Sequence, residues 1–145
     1  MNKIELKKEF DKIAISNDFK KAFGGWFMES IDCVQILELQ KSRFSNYYQL
    51  NIKTFINGIF DKKYVIDKEL INSSLGHLNS NETLDYSNYL NLDFLMEDSE
   101  RINGLNNLFT NHIVPYTNKI LSRSNIKKMI ENNEISVLPI IKNKI

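Results

Sequence analysis

From Tyr47 to Ile56 the side chains alternate along the chain. Tyr48, Leu50, Ile52, Thr54 and Ile56 share one face of an extended strand, and Tyr47, Gln49, Asn51 and Lys53 share the other. A helix would scatter both sets around its circumference, so the run predicts a strand with one face in a core. Just upstream, Cys33 to Lys41 is β-prone with partial alternation, and the polar stretch Arg43 to Asn46 is all that separates the two runs. So short a connection makes them antiparallel neighbours. After a break at Gly24-Gly25, the bulky run Trp26-Phe27-Met28 predicts a further strand on the outer side of Cys33–Lys41. Downstream of Asn57-Gly58, Leu75-Gly76-His77-Leu78 is assigned as a fourth strand in preference to Tyr64-Val65-Ile66.

Helical periodicity brackets this sheet. Lys3 to Ser16 puts Leu6, Phe10, Ile13 and Ala14 on one stripe and its lysines elsewhere. From Asp98 onward Ile102, Leu105, Phe109 and Ile113 recur at three and four residues, with Asp98 or Ser99 as N-cap and Pro115 closing the segment. A short helix over Thr117–Leu121 follows, then another from a Ser124 cap carrying Ile126, Met129 and Ile130. The apolar tail Ile135–Ile141, which contains Pro139, reads as an extended strap or edge strand. The expectation is one α+β domain over residues 1–145, with an N-terminal helix, an antiparallel β-meander of three to five strands and C-terminal helices packed on one face. Its core should include Phe10, Ile13, Leu37, Leu39, Leu50, Ile52, Ile102, Leu105 and Phe109. With 42% hydrophobic residues, 145 residues suffice for one such core. No stretch approaches the ~20 apolar residues of a membrane-spanning helix, and the charged start Met1–Glu5 lacks a signal-like apolar run, so a cytoplasmic protein without membrane contact is expected.

The chemical inventory is thin. Cys33 is the single cysteine and heads an apolar strand, where a thiol behaves as a small buried hydrophobe. His77 and His112 border apolar stretches, and nothing in one dimension pairs either with the thiol, so no catalytic residue is assigned. No cofactor or metal is assigned either: the five glycines form no phosphate loop, and the acidic spacings fit no EF-hand. An acid-x-Lys nuclease site is a near miss, because Glu38 and Lys41 are three residues apart and face opposite sides of a strand. The net charge of +1 argues against nucleic acid as a partner, although Lys41, Arg43 and Lys53 lie near Phe44, Tyr47 and Tyr48.

The Gly24-Gly25-Trp26-Phe27 entry to a strand, the run from Leu39-Gln40-Lys41-Ser42 through Arg43-Phe44-Ser45, and Tyr47-Tyr48-Gln49-Leu50-Asn51-Ile52 together resemble an uncharacterised bacterial domain-of-unknown-function family, number 4304. Leu75-Gly76-His77-Leu78 and Ile113-Val114-Pro115 are similar to the family's C-terminal half. The resemblance implies an α+β fold and no established reaction.

The charge distribution is the strongest functional cue in the second half. Residues 82–100 hold Glu82, Asp85, Asp93, Glu97, Asp98 and Glu100 with no lysine or arginine, whereas the chain from Arg101 onward is basic. Acids before a helix favour its N-terminus, and an acidic patch also selects a basic protein partner. The reading is a non-enzymatic protein-interaction domain, in its sharpest form an immunity protein that occludes a basic toxin. Gln40, Lys41, Ser42, Arg43, Asp93, Glu97, Asp98 and Glu100 are its candidate contact residues. The alternatives are an RNA-binding accessory domain and an enzyme whose site the sequence does not reveal.

Overall fold

The computed structural model describes residues Met1–Ile145. Helix α1 (Lys3–Ser16) is followed by strands β1 (Lys20–Ala22), β2 (Gly25–Glu29), β3 (Cys33–Lys41) and β4 (Tyr48–Ile56), the short helix α2 (Lys68–Ile71) and strand β5 (Leu78–Asn81). A 3-10 segment (Leu84–Leu90) leads to α3 (Asp98–Leu108), a π turn (Phe109–Ile113), α4 (Val114–Ile120), α5 (Arg123–Glu131) and α6 (Pro139–Lys144). The strands form one antiparallel sheet in chain order, β1 to β5. The α+β expectation therefore holds, with a five-strand meander between an N-terminal helix and C-terminal helices.

Register explains why the alternating run forms the second long strand. Leu50 faces Leu39, Ile52 faces Leu37 and Thr54 faces Gln35, so the apolar positions of β3 and β4 emerge on the same side. On that side Leu37, Leu50, Ile52 and Trp26 pack with Phe10 and Ile13 of α1 and with Leu105, Leu108 and Phe109. Ring centroids of Phe10 lie 4.7 Å from Trp26 and 5.1 Å from Phe109, tying helix, strand and π turn together. A second cluster at the other end of the same face joins Cys33, Ile56 and Leu78 to Ile120, Ile126, Met129, Ile130 and Ile141. Leu39 and Ile102, expected in the core, are only half-buried.

Between the two clusters a polar pair is buried: Thr117 Oγ1 donates to Gln35 Oε1 at 2.5 Å. The opposite sheet face is covered at one end only. Val34, Ile36 and Phe55 are closed over by Leu70 and Ile71 of α2, a cover that the sequence reading did not anticipate.

Several local expectations need correction. Strand β1 was not anticipated; it forms because Phe23 and Gly24, with φ of 49° and 82°, make a two-residue turn that folds Lys20–Ala22 onto Gly25–Phe27. The fourth strand starts at Leu78 instead of Leu75, since Gly76 passes so close to β4 that an added Cβ would lie 2.8 Å from the Thr54 nitrogen. Glu97, not Asp98 or Ser99, occupies the cap position of α3. Pro115 does not close the helix. It lacks the N–H that an α-turn would bond to Asn111, and the chain gives up that bond at the π turn, so helix continues from Asp98 to Ile120. The cap of α5 is Ser122, whose Oγ accepts from Asn125 N at 3.3 Å, not Ser124. The expected strap over Ile135–Ile141 becomes helical at Pro139, which sits in the first turn of α6 where a missing N–H costs nothing.

Candidate functional site

The two regions singled out as contact surfaces meet in space. The β3–β4 connection runs from Ser42 to Tyr47, closed by Ser42 N donating to Tyr47 O at 2.8 Å. Across it, the Asp93 carboxylate accepts from Asn46 N at 3.0 Å and from Asn46 Nδ2 at 2.9 Å, while Leu92 N donates to Asn46 O at 3.0 Å. Tyr47 and Asn91 add a β-bridge. The hydrogen bonds from Asn46 hold the Asp93 carboxyl below its ordinary value, and the Lys41 ammonium acts in the same direction. Residues 47 positions apart thus form one edge, and Phe44 at its tip is 96% exposed.

Leu90 anchors the acidic segment in the main core, with Tyr86, Tyr89 and Leu92 packed beside it, and its backbone is gathered by Arg101. The side chain is buried, Nη1 donates to the carbonyls of Asn88, Tyr89 and Asn91 at 2.9–3.1 Å, and Nη2 donates to Phe94 O at 2.8 Å. A guanidinium has the planar fork needed to gather several carbonyls at once. Burial lowers its affinity for the proton, and Asp98 and Glu100 raise it. The Tyr89 ring lies flat on α3, where a Cβ on Gly104 would come within 2.2 Å of it. Held in this way, the segment leaves Leu84 and Leu95 more than 90% exposed among the exposed carboxylates of Asp85, Asp93, Glu97, Asp98 and Glu100.

The candidate residues divide by role. Gln40, Lys41, Ser42 and Arg43 line a shallow recess with Tyr47 and Gln49, beside Asp93. Gln40 accepts from Asn51 at 2.9 Å, and Lys41 Nζ reaches Ser45 O at 3.3 Å. Asp98 lies 3.2 Å from the Met1 amino nitrogen, while Glu97 and Glu100 have no ion-pair partner. Glu82, the sixth carboxylate of the run, is buried: Oε2 accepts from Leu50 N at 2.7 Å and Oε1 from the Tyr47 hydroxyl. Desolvation and that carboxylate together push the Tyr47 phenol up.

The groups with reactive chemistry stay apart. Cys33 packs on the helix-covered side, and burial, reinforced by Asp32, pushes its thiol up to about 12. His77 lies among Phe55, Phe60 and Tyr64, on the other side of the sheet. Its Nδ1 accepts from Ile56 N at 2.9 Å, so the neutral ring carries its proton on Nε2 and donates to Tyr64 Oη at 3.0 Å. Burial lowers its pKa below the ordinary 6.5. His112 contacts Asn81 O through Nε2 at 2.8 Å. Glu38 does not meet Lys41; it meets Lys53, at 3.5 Å, across the β3–β4 pair. Lys53 is buried, donates to Ile71 O and Ser73 O at 2.7 Å each, and has its pKa lowered by burial against the opposing pull of Glu38.

Arg101 is the residue that the sequence reading missed; Asn46 was expected only as part of the polar turn, and Lys53, expected beside Lys41 and Arg43 on a basic surface, is buried instead. The signal available for Arg101 was its place as a lone base at the end of an acidic run, just before the apolar stripe that begins at Ile102. No family model matches the chain, and no curated protein or solved structure matches it.

Proposed function

We propose that the domain is a non-enzymatic protein-interaction module of the immunity-protein kind, which docks a basic partner on the segment from Leu84 to Glu100. The observation that supports this reading is Arg101. A buried cation is costly, and this one is directed at four carbonyls of a surface segment instead of at the core. The result is a preset shape that carries two exposed leucines and five exposed carboxylates. Rigid presentation lowers the entropy lost on docking, and clustered negative charge steers a positively charged partner.

Calorimetric titration of the purified domain against purified products of adjacent genes tests the proposal. A basic partner should bind, and binding should weaken with added salt, in Leu95→Glu, and in the Glu97→Gln/Glu100→Gln double variant. Binding to a basic partner that responds neither to salt nor to these substitutions discards the segment as the contact, and failure of every adjacent product to bind discards the immunity reading.

A further inference from the structure

A recess of about 360 Å³ opens between α1 and the β1–β2 turn, far in sequence from the acidic segment. Lys7 and Lys8 of α1 and Lys21 of β1 stand around it, and none of the three forms an ion pair. Asp11 is the one carboxylate in its lining, and its Oδ1 accepts from Trp26 Nε1 at 2.8 Å. Gly24 completes the wall. Its φ of 82° comes from the turn, a Cβ there would meet nothing within 4 Å, and its amide donates to no backbone acceptor. Three ammonium groups against one carboxylate leave the recess with a formal charge of +2, open to close approach by a ligand.

We propose that this recess binds a phosphomonoester. Such a group carries about −1.5 to −2 charges at pH 7, which matches the recess, whereas a phosphodiester carries one. Ammonium groups bind phosphate oxygens as point charges and need no bidentate geometry, so three lysines on separate elements suffice. The volume admits a small phosphorylated molecule or a single headgroup. Ile4 in the lining is 72% exposed and Phe23, next to Gly24 in the turn, is 56% exposed, so a lipid phosphate and a free one are both compatible with the site.

The chain's single tryptophan forms part of this lining, which makes its fluorescence and its indole N–H resonance direct reporters. Glycerol 3-phosphate and vesicles of phosphatidylcholine with and without phosphatidic acid are titrated separately at pH 7.5, with a single-stranded oligonucleotide as diester control. Saturable change with glycerol 3-phosphate identifies a soluble ligand, and change with phosphatidate vesicles alone identifies a headgroup. In either case Lys8→Gln/Lys21→Gln should weaken binding about tenfold or more with an unchanged melting temperature, because these side chains are exposed and unpaired. No saturation up to about 10 mM in either arm overturns the proposal. Equal binding by the double variant, or tighter binding of the oligonucleotide, also overturns it.

Discussion

Arg101 and Lys53 are both buried cations, and each ties an irregular stretch to the regular framework, yet they do it differently. Arg101 spreads one charge over four carbonyls between Asn88 and Phe94 and has no carboxylate bonded to it. Lys53 holds two carbonyls, Ile71 and Ser73, and has Glu38 beside it. The fork can define the path of a whole segment, whereas the point charge pins one turn. The region under Arg101 is also anchored by Leu90 in the main core and by the Asn46–Asp93 contacts, and the region over Lys53 by the apolar cluster of Val34, Ile36, Phe55 and Ile71.

The comparison is sharpest when each cation is removed. Arg101→Met should destabilise the domain by about 3 kcal/mol, because it strands several partly buried carbonyls, and should raise amide exchange across residues 88–94. Lys53→Met should cost less, about 2 kcal/mol, since water can reach the carbonyl of Ser73 from the open half of the sheet face. Equal losses in chemical denaturation would break the distinction.

Gly104→Ala approaches the Arg101 region from its packing. The usual helix gain of about 1 kcal/mol is outweighed by the collision with the Tyr89 ring, for a net loss of about 1–2 kcal/mol in thermal melts. An increase in stability would show that Tyr89 does not hold the segment.

On the other face, His77 provides a pH handle. Its pKa is lowered in the folded state, so below about 6.5 the unfolded chain takes up the proton first. The stability that His77 contributes is complete above that pH and is lost as pH falls toward the folded value. Melting temperature should therefore drop on acidification with less slope in His77→Gln, and an unchanged slope would remove the assignment. The smallest effect belongs to Asp93→Ala: no resolvable change in melting temperature, but faster exchange of the Asn46 amide.

Much of the fold was legible because it rests on periodicity. The alternation of Tyr48 to Ile56 and the stripe Leu6, Phe10, Ile13 are properties of neighbours along the chain, and they place the sheet and its first helix correctly. What was not legible depends on distant partners. Nothing near Pro115 announces a π turn, and Lys68–Ile71 gives no sign that it will cover Phe55. The candidate surface was legible as a composition, acids without bases, but not as a shape. That Asn46 meets Asp93 and that Arg101 gathers four carbonyls are consequences of the fold, and no spacing rule encodes them.

Glu82 has a consequence for how the sheet ends. Its carboxylate takes the Leu50 amide that a longer β5 would have used, so the ladder ends on a side chain between β5 and the Tyr47–Asn91 bridge. Replacing it with a small apolar residue would strand the Leu50 amide without an acceptor inside the fold, so one buried acid closes the sheet edge that the backbone leaves unfinished.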